Sequence, residues 1–159
     1  MSSTETLLTR MATPADAVLI AHQRHRMFED AGQPDAPAMK DMATNFVEWV
    51  HPRLADGRYL GWIIEENGEP IAGAGIWLMD FPPHWMDAQP IRAYLLNFYV
   101  NPEHRGRGLA KQLLDATLAE TRTRGIQVVS LHASKFGKPI YAKNGFEDTN
   151  EMMLRNSFD

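Results

Sequence analysis

The fold of this chain is decided by residues 97–114, which read NFYVNPEHRGRGLAKQLL. An apolar run over residues 93–100 ends at a proline-containing turn, which passes through two Arg-Gly pairs before a helix begins. The helix is predicted because leucines recur at the spacing of one helix face, at Leu109, Leu113, Leu114 and Leu118. The stretch therefore predicts a strand, a glycine-rich turn and an amphipathic helix in direct succession.

The glycine-rich turn has the chemistry of a phosphate site. The first turn of a helix leaves several backbone N–H groups without partners, and the helix dipole makes that end positive. Gly106 and Gly108 let the backbone approach an anion without an intervening side chain. Arg105 and Arg107 add charges that pair with phosphate oxygens. The sequence thus predicts a pyrophosphate-binding turn at residues 105–110.

Two common phosphate motifs do not fit this turn. No G-x-x-x-x-G-K-(S/T) sequence of a P-loop is present, and Lys111 stands where a dinucleotide fingerprint needs its third glycine. The turn instead resembles the acetyl-CoA signature (Q/R)-x-x-G-x-(G/A) of the GNAT N-acetyltransferase superfamily. Arg105, Gly108 and Ala110 occupy the three specified positions of that signature.

Composition narrows the class of protein. The length of 159 residues is that of one domain, which we expect to span residues 1–159. The formal net charge of −4 and the lack of basic runs outside residues 104–111 argue against a nucleic-acid partner. The chain has no cysteine, so disulfides and a cysteine nucleophile are excluded.

Targeting and metal signals are also missing from the sequence. No apolar run approaches the roughly 18 residues of a membrane span, and the N-terminal residues lack the pattern of a signal peptide. His22 and His25 have no third ligand nearby in the sequence, so no metal site is predicted. We therefore expect a cytoplasmic protein without a membrane or metal partner.

Hydrophobic periodicity and turn residues predict the order β-α-α-β-β-β-α-β-α-β. The predicted strands cover residues 6–11, 59–65, 71–78, 93–100, 126–133 and 151–155. The predicted helices cover residues 14–32, 39–50 and 138–144, together with the helix that begins at Leu109. Asn67-Gly68 between the second and third strands is typical of a tight hairpin.

The C-terminal half strengthens the resemblance. Residues 131–134 and 140–146, which read LHAS and IYAKNGF, are similar to the strand, loop and final helix of GNAT proteins. The order of elements also matches that family. The resemblance implies an α/β GNAT fold, in which a mixed central sheet is splayed to bind coenzyme A and helices cover both faces.

The resemblance also implies roles for individual residues. Strand residues would pair with the pantetheine arm through their backbone, namely Phe98, Tyr99 and Val100. The turn would hold the pyrophosphate through Arg105, Gly106, Arg107, Gly108, Leu109 and Ala110. Ser134 stands where many members carry an Asn that contacts pantetheine. Tyr141 would stand near the thioester sulfur, where a phenol suits the role of general acid.

The sequence does not single out one residue as the general base. An amine is protonated at neutral pH and must lose a proton before it attacks a thioester. The strand before the turn carries no Glu, and Asn97 is its nearest polar residue, which suggests a water relay. Other candidates are His132, Asp80 and Glu29. A hydrogen-bonded structural role for His132 is an equally good interpretation.

The sequence says least about the acceptor. Arg24, His25 and Arg26 are interpreted as a polar helix face rather than a substrate clamp, and Trp85 is either a loop anchor or a wall of the acceptor site. The short segment after Phe146 implies an open site or one completed by a second subunit. Dimers are frequent among GNAT proteins, so a homodimer is possible.

The function that the resemblance implies is acetyl transfer from acetyl-CoA, the co-substrate, to a small-molecule or peptide amine. The lack of cysteine favours direct attack in a ternary complex over an acyl-enzyme route. The missing strand carboxylate motivates an alternative, a non-catalytic sensor or regulatory module that binds acetyl-CoA or coenzyme A.

Overall fold

The computed structural model describes residues 6–158. Its strands are β1 (Leu7–Met11), β2 (Tyr59–Glu66), β3 (Glu69–Asp80), β4 (Ile91–Val100) and β5 (Val129–Leu131). Its helices are α1 (Ala17–Asp30), α2 (Pro37–Asp56), α3 (Leu109–Thr123) and α4 (Lys138–Lys143). Short 3-10 turns at Pro14–Asp16 and Pro102–His104 precede α1 and α3.

The strands form one mixed sheet in the order β1-β2-β3-β4-β5. Neighbours from β1 to β4 are antiparallel, and β4 pairs with β5 in parallel. The predicted hairpin joins β2 to β3, and Asn67 and Gly68 both adopt positive φ, at 53° and 84°. Both values suit the two-residue turn that matches the twist of the paired strands.

Helices cover both faces of the sheet, as the resemblance implies. On one face, α1 packs mainly on β4 and α2 packs on β2, through a cluster that contains Ile20, Phe46, Val50, Tyr59 and Ile63. On the other face, the predicted leucine stripe of α3 packs on β3 and β4. Its buried members are Leu109, Leu113 and Leu114. The sheet is therefore buried on both sides, which explains why its central strands read as nearly continuous apolar runs.

The first helical segment begins at a capping box, in which Thr13 is the N-cap and Asp16 the third helical residue. The Asp16 carboxylate accepts a 2.8 Å hydrogen bond from the Thr13 backbone N–H. It also accepts two 2.9 Å hydrogen bonds from the Arg10 guanidinium. The Arg10 hydrogen bonds and the Thr13 N–H together hold the pKa of Asp16 below its usual value, although burial opposes them. This cluster ties α1 to the sheet.

The sheet splays between β4 and β5. The β4–β5 ladder ends at the pair Leu95 and Leu131, so β4 runs on to Val100 with no β5 partner on that side. A bulge occurs next to this point, because Leu96 opposes Gly75 and Tyr99 opposes Gly73. The extra residue is accommodated by Asn97, whose φ is 61°. The bulge and the splay open a slot beside the second half of β4.

Two strand predictions need correction. The strand predicted over residues 126–133 is confined to Val129–Leu131, because β4 diverges from it beyond Leu95. The strand predicted over residues 151–155 does not form. A strand needs a neighbour for its backbone groups, and no described strand pairs with this segment. Its large apolar side chains are exposed, with Met152 at 94%, Met153 at 71% and Leu154 at 83%.

Candidate active site

The slot beside β4 encloses a cavity of about 270 Å³. Most residues that the resemblance assigns to the cofactor meet here. The lining includes Phe98, Tyr99, Val100, Arg105, Ala110, Ser134 and Tyr141. Gly106, Arg107, Gly108 and Leu109 belong to the adjoining turn and helix start. The structure therefore brings two separate sequence segments, residues 98–110 and 134–141, to opposite walls of one slot.

The turn before α3 is held open by backbone conformation. Gly106 and Gly108 have φ values of 82° and 78°, which side-chain-bearing residues rarely adopt. Gly108 is the N-cap of α3 and offers no side chain to cap it. The first helical N–H groups, starting at Leu109, therefore point outward without intrahelical acceptors. This is the geometry expected for anion binding.

Both arginines of the turn contact carboxylates in this structure. Arg105 Nη2 lies 2.6 Å from Asp30 of α1, and its Nε donates to the Val100 carbonyl at 3.0 Å. Arg107 Nη1 lies 3.1 Å from Glu66 at the end of β2. These side chains are partly exposed, so each pair is weak and screened by salt. Weak pairs of this kind are readily exchanged for contacts with a more highly charged anion.

Tyr141 on α4 lies between two cavities. Its ring packs edge-on against Phe98 at 6.3 Å and against Phe146 at 5.7 Å. Burial raises the pKa of its phenol above the ordinary value, so the hydroxyl keeps its proton at neutral pH. Among residues 6–158, Tyr141 alone lines both the slot and the larger cleft described next.

The start of α4 is set by Ser134. Its Oγ accepts a 3.0 Å hydrogen bond from the Gly137 backbone N–H, and its carbonyl accepts one from Lys138. The same hydroxyl lines the slot and still has its own proton to donate. Ser134 thus positions the helix that carries Tyr141 and offers a donor to a ligand in the slot.

A larger cleft of about 1950 Å³ opens on the other side of Tyr141. Its floor is rich in aromatic residues from α2, β3 and β4, including Phe46, Trp49, Trp77 and Tyr94. Residues 128–133 and 147–153 also line it. Trp85 does not line it and is 88% exposed, so the structure gives Trp85 no part in the cleft wall.

A buried polar network lies beneath the bulge. Asn97 is only 2% exposed; its Oδ1 accepts a 2.8 Å hydrogen bond from Arg24 Nη1, and its Nδ2 donates to the Tyr59 hydroxyl at 2.9 Å. Burial raises the pKa of Tyr59 to about 12. Any Cβ at Gly75 would collide with that hydroxyl, which explains the glycine in mid-strand. Both ends of the Asn97 amide are therefore engaged within the protein.

The other candidate bases lie in different surroundings. His132 lines the cleft, and its Nδ1 forms a hydrogen bond with the Tyr94 hydroxyl. Asp80 ends β3 and lines neither cavity. Glu29 also lines neither cavity and contacts His25 and Arg26 on the helix surface, at 3.8 and 3.9 Å. Of these three candidates, only His132 has a place beside the cleft.

Sequence reasoning missed the role of Arg24. It is half-buried rather than part of a solvated helix face, with its guanidinium 5.0 Å from the ring centre of Phe28 and 5.1 Å from that of Phe46. Its hydrogen-bond partner, Asn97, is 73 positions away. The sequence likewise gives no sign that Tyr59 and Tyr94 meet Asn97 and His132, because these partners are also distant in sequence. The one local sign of the Arg24 environment is Phe28, four residues later on the same helix face.

Comparisons with known proteins identify the family. A model of the Acetyltransferase (GNAT) family matches residues 22–146. The chain therefore belongs to this family, and it is an acetyl-CoA-dependent N-acetyltransferase. The sheet, the flanking helices and the splay agree with the fold that the sequence predicts.

Individual relatives support the same family assignment. A GCN5-related N-acetyltransferase from Ralstonia eutropha has a similar structure, with a TM-score of 0.89 and 40% identity over 95% of this chain and 99% of that one. A predicted acetyltransferase from Clostridium acetobutylicum, solved with acetyl-CoA, gives a TM-score of 0.84 and 34% identity over 95% and 96%. An aminoglycoside N(6')-acetyltransferase from Stenotrophomonas maltophilia is 26% identical over 148 residues, which cover 91% of this chain and 88% of that protein.

None of the helices within residues 6–158 combines the length and the apolar character that a membrane span requires. No group of three or more His, Asp or Glu side chains in this part of the chain is arranged to hold a metal ion.

Proposed function

We propose that this chain transfers the acetyl group of acetyl-CoA to an amine by direct attack within a ternary complex. The observation that carries the proposal is the position of Tyr141 at the junction of the slot and the cleft. A thioester held in the slot would meet an amine held in the cleft beside this phenol. The Tyr141 hydroxyl would then lie next to both the thioester and the attacking amine.

Coenzyme A would occupy the slot. The unpaired edge of β4 from Phe98 to Val100 offers backbone groups to the amides of pantetheine. The N-terminus of α3 would bind the pyrophosphate, with Arg105 and Arg107 turning from their carboxylate partners toward it. Ser134 would donate its hydroxyl to the pantetheine arm. The likeness to a relative solved with acetyl-CoA supports this arrangement.

The reaction would begin with a base that takes one proton from the ammonium form of the acceptor. The neutral amine then attacks the thioester carbonyl carbon and forms a tetrahedral intermediate. As the carbon–sulfur bond breaks, the sulfur takes the proton of the Tyr141 hydroxyl and leaves as a thiol. The nitrogen then gives its remaining excess proton to the tyrosinate, and the neutral amide is released. His132 is the best-placed base, because it lines the cleft and Tyr94 fixes its ring through Nδ1.

The test is thiol release from acetyl-CoA, followed with a disulfide dye across amines, amino acids, sugars and short peptides. The protein contributes no thiol because it has no cysteine. Amine-dependent release above the hydrolysis background is the expected result and would also identify the acceptor class. Tight binding of coenzyme A without release for any amine would instead favour the sensor or regulatory module.

We also propose a homodimer in which residues 151–155 of each copy pair with β5 of the other. β5 pairs only with β4 within the described chain, so its second edge is open. The exposed Met152, Met153 and Leu154 are the kind of apolar patch that marks an interface. Residues 147–153 and 128–133 both line the cleft, so a strand inserted beside β5 would complete its wall.

Cysteine cross-linking distinguishes strand exchange from closure within one chain. Ser130→Cys and Met153→Cys are made in separate, differently tagged chains, mixed, and treated with a bis-maleimide. Strand exchange predicts a covalent dimer that carries both tags. Cross-linking only in a chain that carries both substitutions would show that the segment folds back on its own β5, and would contradict the exchange.

A further inference from the structure

We infer that the acceptor of this enzyme carries an anionic group, a carboxylate or a phosphate, and that Arg24 binds it. The inference rests on the proposed function and names the class of acceptor for the same cleft. Its source is a cation at the cleft floor whose hydrogen-bonding capacity is largely unused.

Arg24 has more donors than partners. A guanidinium carries five N–H donors, but within residues 6–158 Arg24 makes one hydrogen bond, from Nη1 to Asn97. Its Nε is buried and has no hydrogen-bond acceptor there. No Asp or Glu of the described chain forms an ion pair with it. The donors of Nη2 are therefore unused and not enclosed, and they suit an oxygen of a carboxylate or phosphate.

The surroundings hold the guanidinium in place and strengthen its attraction for an anion. Phe28 and Phe46 pack against it, and Asn97 fixes one nitrogen. Burial lowers the pKa of Arg24 from its usual value, a sign that the charge is poorly compensated inside the protein. An uncompensated cation in an environment of low polarity favours a ligand that brings the missing negative charge.

The remaining cleft defines the rest of the acceptor. Phe46, Trp49, Trp77 and Leu96 provide an apolar wall near Arg24. The acidic residues that line the cleft belong to the C-terminal segment, at Glu147, Asp148 and Glu151. An acceptor with an apolar body and one anionic group, such as a hydrophobic amino acid, fits this floor. A polycationic aminoglycoside, the acceptor after which one relative is named, would place like charge beside Arg24.

Pairs of acceptors that differ in the anionic group measure the effect of that group apart from the rest of the acceptor. We would measure kcat/KM for phenylalanine against phenylalaninamide, for glucosamine 6-phosphate against glucosamine, and for kanamycin. The anionic member of at least one pair is expected to be favoured at least tenfold, and which pair responds distinguishes carboxylate from phosphate. Equal use of both members in both pairs, or efficient acetylation of kanamycin, would overturn the inference.

The variants Arg24→Gln and Arg24→Lys assign any preference to this side chain. Gln can still donate to Asn97 but has no charge, so the preference for the anion is expected to fall to near one. Lys keeps the charge and should retain part of the preference. An equal loss for anionic and neutral acceptors would show that Arg24 only supports the fold. Unfolding curves and coenzyme A affinity serve as controls.

A binding measurement covers the case in which no acceptor is turned over. N-acetylphenylalanine and its amide are titrated into the protein loaded with coenzyme A, and the fluorescence of Trp49 and Trp77 reports on cleft occupancy. Tighter binding of the acid, lost in Arg24→Gln, supports the anion site even if the proposed transfer fails. The same comparison is made for N-acetylglucosamine 6-phosphate and N-acetylglucosamine. Equal affinity within both pairs would contradict the anion site at Arg24.

Discussion

The slot and the cleft are built by different means. The slot draws mainly on two short sequence segments, residues 98–110 and 134–141, with Met27 and Asp30 of α1 also in its lining. Its predicted ligand contacts are largely backbone groups of β4 and of the turn. The cleft draws on both N-terminal helices, three strands and the C-terminal segment, and presents side chains. A fixed cofactor can be recognised by a local motif, whereas a specific acceptor is recognised by side chains that only tertiary packing brings together.

The network under the bulge links the two regions. Asn97 belongs to β4, which borders the slot, yet its amide faces Arg24 and Tyr59 on the side of the cleft. Changes to this network should therefore damage the acceptor side and the fold while sparing the cofactor side. Changes to the turn should do the reverse.

Gly75→Ala should have the largest effect on stability. The added methyl group meets the hydroxyl of the fully buried Tyr59, and neither β3 nor Tyr59 has room to move. We expect a loss of about 3 kcal/mol in the free energy of unfolding, within the range for overpacked cores. Urea unfolding measures it. Gly68→Ala, in the exposed hairpin turn, is the comparison; a larger loss there would contradict the packing argument.

Asn97→Leu should come next. It leaves the buried Tyr59 hydroxyl without its Asn97 partner and removes the acceptor of Arg24 Nη1, and losses of this kind cost about 1–3 kcal/mol. The acceptor KM should rise, while the affinity for coenzyme A changes little. Calorimetry with coenzyme A and steady-state kinetics separate the two. A loss confined to coenzyme A binding would contradict the separation of slot and cleft.

Asp16→Asn tests a region outside both sites. The wild-type carboxylate has a lowered pKa in the folded state, so its stabilisation is complete above the unfolded pKa of about 3.9 and is lost as pH falls through the folded pKa. We expect a loss of about 1–2 kcal/mol at pH 7, the scale of a lost cap and ion pair. The difference from wild type should shrink in acid. A pH-independent difference would show that the carboxylate charge is not its source.

Arg107→Gln should have the smallest effect. Arg107 is exposed and pairs with Glu66, so the contribution that we propose for its charge in pyrophosphate binding is screened by water and salt. We expect coenzyme A to bind about two- to fivefold more weakly, equivalent to about 0.4–1 kcal/mol, with the difference fading at high ionic strength. Acceptor KM should stay constant. An undiminished difference in 0.5 M salt would contradict a screened electrostatic role.

The same contrast explains what the sequence could predict. The turn, the leucine stripe of α3, the hairpin at Asn67-Gly68 and the capping box at Thr13 are local patterns, and the structure contains each of them. Arg24 was misinterpreted because its environment comes from a residue 73 positions away. No local rule predicts that Asn97 takes a positive φ at a bulge.

The C-terminal segment shows a second limit. Residues 151–155 have the composition of a strand, but a strand also needs a neighbour, which the described chain does not provide. The strand predicted at residues 126–133 is too long for a related reason, because the length of β5 depends on where β4 diverges from it. Sequence patterns give the capacity to form a strand, and pairing decides whether it forms.

The most direct test of the account is the turnover of Tyr141→Phe, measured beside Trp85→Phe, an exposed aromatic outside both cavities. Removing a general acid lowers kcat by about 10²–10⁴-fold. We therefore predict at least a hundredfold fall in kcat for Tyr141→Phe, with unchanged affinity for coenzyme A and unchanged rates for Trp85→Phe. Wild-type turnover in Tyr141→Phe would contradict the claim that this phenol serves both substrates at the junction.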